Sequence, residues 1–176
     1  MRTWMLGLVL AINAKADMAH TVDQAALNSL KQSISRFETL QAKHPEHRTG
    51  MQRRLGDLHQ EASKILFRIK QRDKKYASVY TAQLNKAKMA YEYSLKGKMN
   101  SVERGEVHYQ LALVNKNLGH KKAIQTHLDV ALKQELYPEL SGLVHFEYGL
   151  FWSDKNKPVE AIPHYKSATK TPDKQL

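Results

Sequence analysis

Residues 107–133 are written a second time, loosely, at 144–170, and this internal repeat constrains the fold more than any other feature of the 176-residue chain. At an offset of thirty-seven, His108 falls on His145, Ala112 on Gly149, Gly119 on Asn156, Leu128 on Tyr165 and Ala131 on Ala168. A period in this range marks a helical hairpin, a unit that cannot bury its apolar face alone and stacks on its neighbour. Such an array presents a surface rather than a reaction centre.

Only 8 Gly and 5 Pro interrupt a chain rich in Ala, Leu, Lys, Gln and Glu, so helix is favoured throughout. The first residues read as an export signal over 1–16. Arg2 supplies a positive start, residues 4–12 an apolar core, and Ala14-Lys15-Ala16 small residues before a cut at Asp17. Nine apolar residues fall short of the about 20 a spanning helix needs; the alternative is a buried N-terminal helix. No later segment is long enough to cross a membrane, so no transmembrane span is expected. The absence of cysteine excludes disulfides, thiolate zinc sites, cysteine nucleophiles and lipobox acylation. A periplasmic or otherwise exported location is the expectation.

Apolar spacing divides the chain into about seven helices. Val22, Ala26, Leu30, Ile34, Phe37 and Leu40 form one stripe, stopped at His44-Pro45 because proline disfavours helix in the residue before it. Met51, Leu55, Leu58, Ala62, Ile65 and Ile69 form a seam on the second helix. Tyr76, Tyr80, Leu84, Ala87 and Tyr91 resume the pattern. Either one helix spans 49–96, or a turn at 72–74 with Asp73 as N-cap separates two; the turn is the reading adopted. Gly97, Gly119, Tyr137-Pro138 and Asn156 with Pro158 mark the remaining joints, with Ser101 opening the fourth helix and Pro172 closing the last. Pro163 fits only inside a first turn, which puts the start of the last helix near Glu160. Gly149 costs its helix roughly 1 kcal/mol against alanine, offset by a close approach of Ala168 unless it is a tolerated kink.

The last two units resemble the tetratricopeptide repeat. Residues 144–172 carry Tyr148-Gly149, Trp152, Glu160-Ala161-Ile162, Tyr165, Ala168 and Pro172 in the motif's order; the unit before carries Leu111-Ala112, Gly119, Ala123-Ile124, Leu128, Ala131-Leu132 and Pro138. Phe37, Leu40 and Pro45, and Ala87, Tyr91 and Ser94-Leu95, look like eroded second halves. His108 and His145 stand where the family has tryptophan, and the period exceeds the family's about thirty-four. The resemblance implies an all-α right-handed solenoid, with degenerate repeats over 17–98 and two better-formed ones over 99–176. It also implies a protein- or peptide-binding groove lined by the first helix of each hairpin. Carried over, the groove residues are Glu106, Tyr109, Leu113, Lys116 and Asn117, then Leu143, Phe146, Leu150 and Asp154. Exposed Tyr109 and Phe146 would be aromatic anchors, with Lys116 and Asn117 as polar contacts; the alternative is that both rings fill the core.

Chemistry is not encoded in any motif. No zinc-protease His pair, nucleophile elbow or phosphate loop occurs, so the expectation is a non-enzyme without metal or cofactor, in which His108 and His145 pack. The 28 Lys and Arg against 17 Asp and Glu favour anionic surfaces, but the basic residues are spread along every helix. Nucleic acid is not expected for an exported chain. Two functions follow: an adaptor in an envelope assembly of motility or secretion type, or a polyanion binder using Lys64, Arg68, Arg72, Lys74 and Lys75 as a ridge. Tyr165 and Ala168, on a last helix with no outer neighbour in the sequence, add an expected self-association or partner contact at the C-terminal end; Lys157, Glu160, Lys166 and Lys170 would otherwise solvate it.

Overall fold

Sparse breakers and helix-forming composition yield seven α-helices in the computed structural model, which describes the backbone of residues 2–170 and the side chains of residues 21–170. They are α1 (Arg2–Lys43), α2 (Arg48–Arg72), α3 (Ala77–Ser94), α4 (Ser101–Leu118), α5 (Lys121–Leu132), α6 (Pro138–Asp154) and α7 (Pro158–Ala168). No strand occurs among the described residues, so the all-α, helical-hairpin class read from the repeat is the fold. Two compact units divide the chain, Met1–Ala87 and Lys88–Leu176, and the division falls inside α3. The side chains of the expected export signal and Pro172 lie outside the described residues.

Each joint has a local chemical cause. After α1, Pro45–His47 makes one 3-10 turn before α2 begins. The 49–96 stretch is two helices. Asp73 adopts extended backbone, and its carboxylate accepts the Lys75 N–H at 3.1 Å, which caps the turn into α3. Helix α4 begins at Ser101, as expected, with Asn100 before it as the N-cap. Asn100 Oδ1 accepts the Glu103 N–H at 2.8 Å while Glu103 Oε2 accepts the Asn100 N–H at 3.0 Å, a reciprocal capping box. Gly119 ends α4 in the left-handed region at φ 78°, a conformation free of steric cost only without a side chain.

Two further expectations are corrected. Helix α7 starts at Pro158, not Glu160, so Pro163 is an interior residue. Pro158 presets the first helical turn, and the carbonyl that Pro163 cannot serve belongs to Val159, which is exposed to water. The α1 stripe is displaced at its ends: Ile34 is buried and Ala26, Leu30 and Phe37 are half-buried as expected, but Val22 and Leu40 are exposed, and Asp23 and Leu27 are buried instead. The α2 seam behaves as expected, with Leu55, Leu58, Ala62, Ile65 and Ile69 all buried.

The displacement of α1 follows from a charge clamp on α2. Arg68 donates to Asp23 Oδ1 through Nε at 3.1 Å and Nη2 at 2.7 Å, and Arg72 donates to Oδ2. Asp23 is a charged residue on a buried face, which an apolar count cannot register. The Arg68 hydrogen bonds, aided by Arg72 and opposed by burial, hold its carboxyl below the usual range. On the same unit, burial holds His59 below the usual histidine range, against a 2.7 Å hydrogen bond with Gln83 that favours the charged ring.

These two groups set an acid response in two stages. The unfolded chain protonates His59 near about 6.5 while the folded chain resists, so stability is lost as pH falls below that value. Asp23 contributes stability in full above about 3.9 and loses it as pH falls through the lower folded value. Thermal unfolding followed by circular dichroism should therefore show His59→Gln weakening the upper stage, to which His108, His127, His145 and His164, also lowered by burial, contribute the rest, and Asp23→Asn weakening the lower. An Asp23→Asn variant with an unaltered acid limb would refute the clamp's role.

In the second unit α4 pairs with α5 and α6 with α7. Tyr109, Ala112, Ile124, Leu128, Ala131, Leu140, Val144, Tyr148 and Phe151 form its core. Gly149 is a true close approach, but the residue over it is Tyr165, not Ala168: a Cβ there would stand 2.5 Å from Tyr165 Cε1. The equivalent pair one repeat earlier is Ala112 with Leu128. A smaller residue on one helix thus accompanies a larger one on the other, conserving the filled volume.

Candidate functional site

Placement of the nine groove candidates separates them into three environments. Leu113, Lys116 and Asp154 come together, joined by Ala112, Glu147 and Phe151 along a cleft between α4 and α6 whose floor is Ile124 and Leu128 of α5. Lys116 Nζ spans the cleft to Glu147 at 2.7 Å. Leu143 and Phe146 stand on α6 with 51% and 47% of their surfaces exposed, and Leu150 is half-buried. Glu106 accepts a hydrogen bond from Tyr137 Oη at 3.3 Å. Asn117 is exposed and donates to its own helix at the Leu113 carbonyl, 3.1 Å away.

Tyr109 is not an exposed anchor. It is buried in the core among residues of α5 and α6, and burial first, then the Glu147 charge, pushes its hydroxyl up to about 12. Phe146, its repeat equivalent, packs one edge toward Tyr165, with ring centroids 6.1 Å apart, and shows the rest to solvent. Glu147 and Phe151 were missed as cleft residues. The signal was present, since each lies four residues beyond a residue of the same α6 face.

The cleft's cavity volume is about 30 Å³, far below the roughly 300 Å³ or more of a small-molecule site. It suits one inserted side chain at most. Leu143 and Phe146, on the same helix, add exposed apolar surface outside the cleft. Val159 and Ile162 of α7 are also exposed, at 78% and 50%, whereas Tyr165 packs inward over Gly149.

The proposed basic ridge is partly occupied. Arg68 and Arg72 are committed to Asp23, and Lys75 lies 2.7 Å from the Asp73 carboxylate. Lys64 and Lys74 are exposed.

The hairpin interiors hold a second, unanticipated set. His108 Nδ1 lies 3.0 Å from His127 Nδ1, and His145 Nδ1 lies 3.1 Å from His164 Nδ1. Both ring pairs have centroids 5.3 Å apart, tilted by 38° and 40°. Burial first, then the facing His127 and Arg104, lowers His108 to about 4; burial likewise lowers His127, His145 and His164. The sequence reading matched His108 with His145 but missed their partners. Applying the same offset of thirty-seven to His127 gives His164, so the signal was there.

No family model matches the chain, and no curated protein matches it. Two solved structures that it resembles are MamA MSR-1 C2 and MamA AMB-1 P212121. The first has a TM-score of 0.42 and 17% identity over 88% of this chain and 92% of that one. The second has a TM-score of 0.42 and 18% identity over 91% of each. At this level the likeness assigns neither a partner nor an activity.

Proposed function

We propose that the chain is an exported, non-enzymatic adaptor of tetratricopeptide type that holds an apolar segment of a partner protein in a bacterial envelope assembly. The observation that carries this reading is α6, where Leu143 and Phe146 stand half-exposed on the same helix that gives Glu147 and Phe151 to the cleft with Leu113 and Lys116. Neighbouring large apolar side chains left in water are the usual anchors of a protein contact. The Lys116–Glu147 pair on the cleft supplies polar contacts that fix register rather than affinity.

Capture of partners from envelope extracts by the tagged protein, at low and moderate salt, tests the proposal. Leu143→Ser with Phe146→Ser should reduce capture of the specific partner by about tenfold or more, the loss of about 1.4 kcal/mol or more expected for anchor residues, with little change in thermal stability. Salt-tolerant capture that survives both substitutions would sink this face as the site. Capture that collapses with added salt, by counterion release, would instead favour the polyanion reading, although Arg68 and Arg72 are already engaged by Asp23.

A further inference from the structure

The histidine pairs belong to a larger constellation that recurs intact. Glu92 acts electrostatically on His127, and Asp129 acts on His164. Glu92, His108 and His127 each map onto Asp129, His145 and His164 at the same offset of thirty-seven. A carboxylate and two imidazoles are therefore set out twice, on α3, α4 and α5 and again on α5, α6 and α7. Around them the hairpin packing changes, from Ala112 with Leu128 to Gly149 with Tyr165, while both histidines of each pair stay.

We propose that each histidine pair binds a divalent transition-metal ion of the zinc, nickel and copper class through its two Nδ1 atoms. With metal–nitrogen bonds of about 2.0–2.1 Å, two nitrogens stand about 2.9 Å apart at a right angle and about 3.3 Å apart at the tetrahedral angle. The observed 3.0 and 3.1 Å fall inside that interval. Imidazole nitrogen selects this class of ion, whereas calcium and magnesium take oxygen ligands.

Among the described residues no group of three His, Asp or Glu side chains is already gathered for a metal. The sites are accordingly two-nitrogen chelates, with the remaining positions filled by water or by movement of Glu92 and Asp129. Glu92 is surface-exposed and paired with Lys88 at 3.6 Å, so it can turn. Asp129 accepts the Tyr148 hydroxyl at 2.5 Å, which makes its pair more dependent on water. All four histidines are half-buried, so an ion can enter from solvent and exchange, unlike the closed four-ligand structural zinc site.

Zinc titrated by calorimetry into the chelator-stripped full chain near neutral pH should bind at about two ions per chain and raise the unfolding midpoint, because the ion favours the folded state. His127→Ala should remove one ion, His164→Ala the other, and the double variant both. His44→Ala with His47→Ala should remove neither, and magnesium should not bind the pairs. Absence of stoichiometric zinc binding, or binding indifferent to the double replacement, would overturn the proposal. If the variants fail to fold, imidazole resonances of the wild-type chain decide. Zinc should shift those of His108, His127, His145 and His164 and leave His59 in place. Shifts confined to His44 and His47 would show that the pairs are hydrogen-bonded neutral imidazoles and no more.

Discussion

Replacing Gly149 with leucine is expected to destabilise the second unit by about 3 kcal/mol, because it overfills a site already closed by the Tyr165 ring. Even one methyl meets that ring at 2.5, 2.7 and 2.9 Å. Tyr165 can yield only by giving up its 3.0 Å hydrogen bond to Ser153 and its contact with Phe146. In calorimetric unfolding the loss should appear as a midpoint fall on the order of 10 °C. The repeat supplies its own control. Gly149→Ala combined with Tyr165→Leu recreates the Ala112–Leu128 pair and should recover most of what either change costs. An unchanged midpoint for Gly149→Leu would show that the ring swings clear without cost.

The second large effect is expected at Leu128, which is wholly buried in the core between the hairpins. Leu128→Ala should cost about 2–5 kcal/mol, the loss of transfer energy plus the cavity left behind. Denaturant titration gives the value, and Ile162→Ser on the exposed side of α7 should stay within about 0.5 kcal/mol of the parent. Equal effects at the two sites would contradict the assignment of core and surface.

These two sites show what patterning reveals and what it leaves hidden. The repeat identified Gly149 as special, and of the six residues of the α2 seam five are buried and Met51 is half-buried, because both signals depend on spacing alone. The identity of the residue above Gly149 did not follow. It depends on how far a side chain leans along its own helix, and the Tyr165 ring reaches across where Ala168 cannot. On α1 the apolar stripe pointed to Val22, but the face is fixed by Asp23, whose burial comes from two arginines more than forty residues away in sequence. In the groove, Tyr109 and Phe146 are indistinguishable by position, yet Tyr109 is covered by α5 and α6 while Phe146, on α6 itself, is left half in water. Which equivalent residue is covered depends on the neighbouring hairpin.

Helix α7 has a bearing on how the molecule breathes. It buries one residue, Ala161, where its counterpart α5 buries Ile124, Leu128 and Ala131, and Pro163 removes one rung of its backbone ladder. Elements that bury few side chains completely open locally below the free energy of global unfolding. Detachment of α7 alone would uncover Gly149 and Tyr148 and separate His145 from His164, while the α4–α5 hairpin stays closed. The two repeats, alike in sequence, should therefore differ in time: amide exchange is expected to be faster in α7 than in α5.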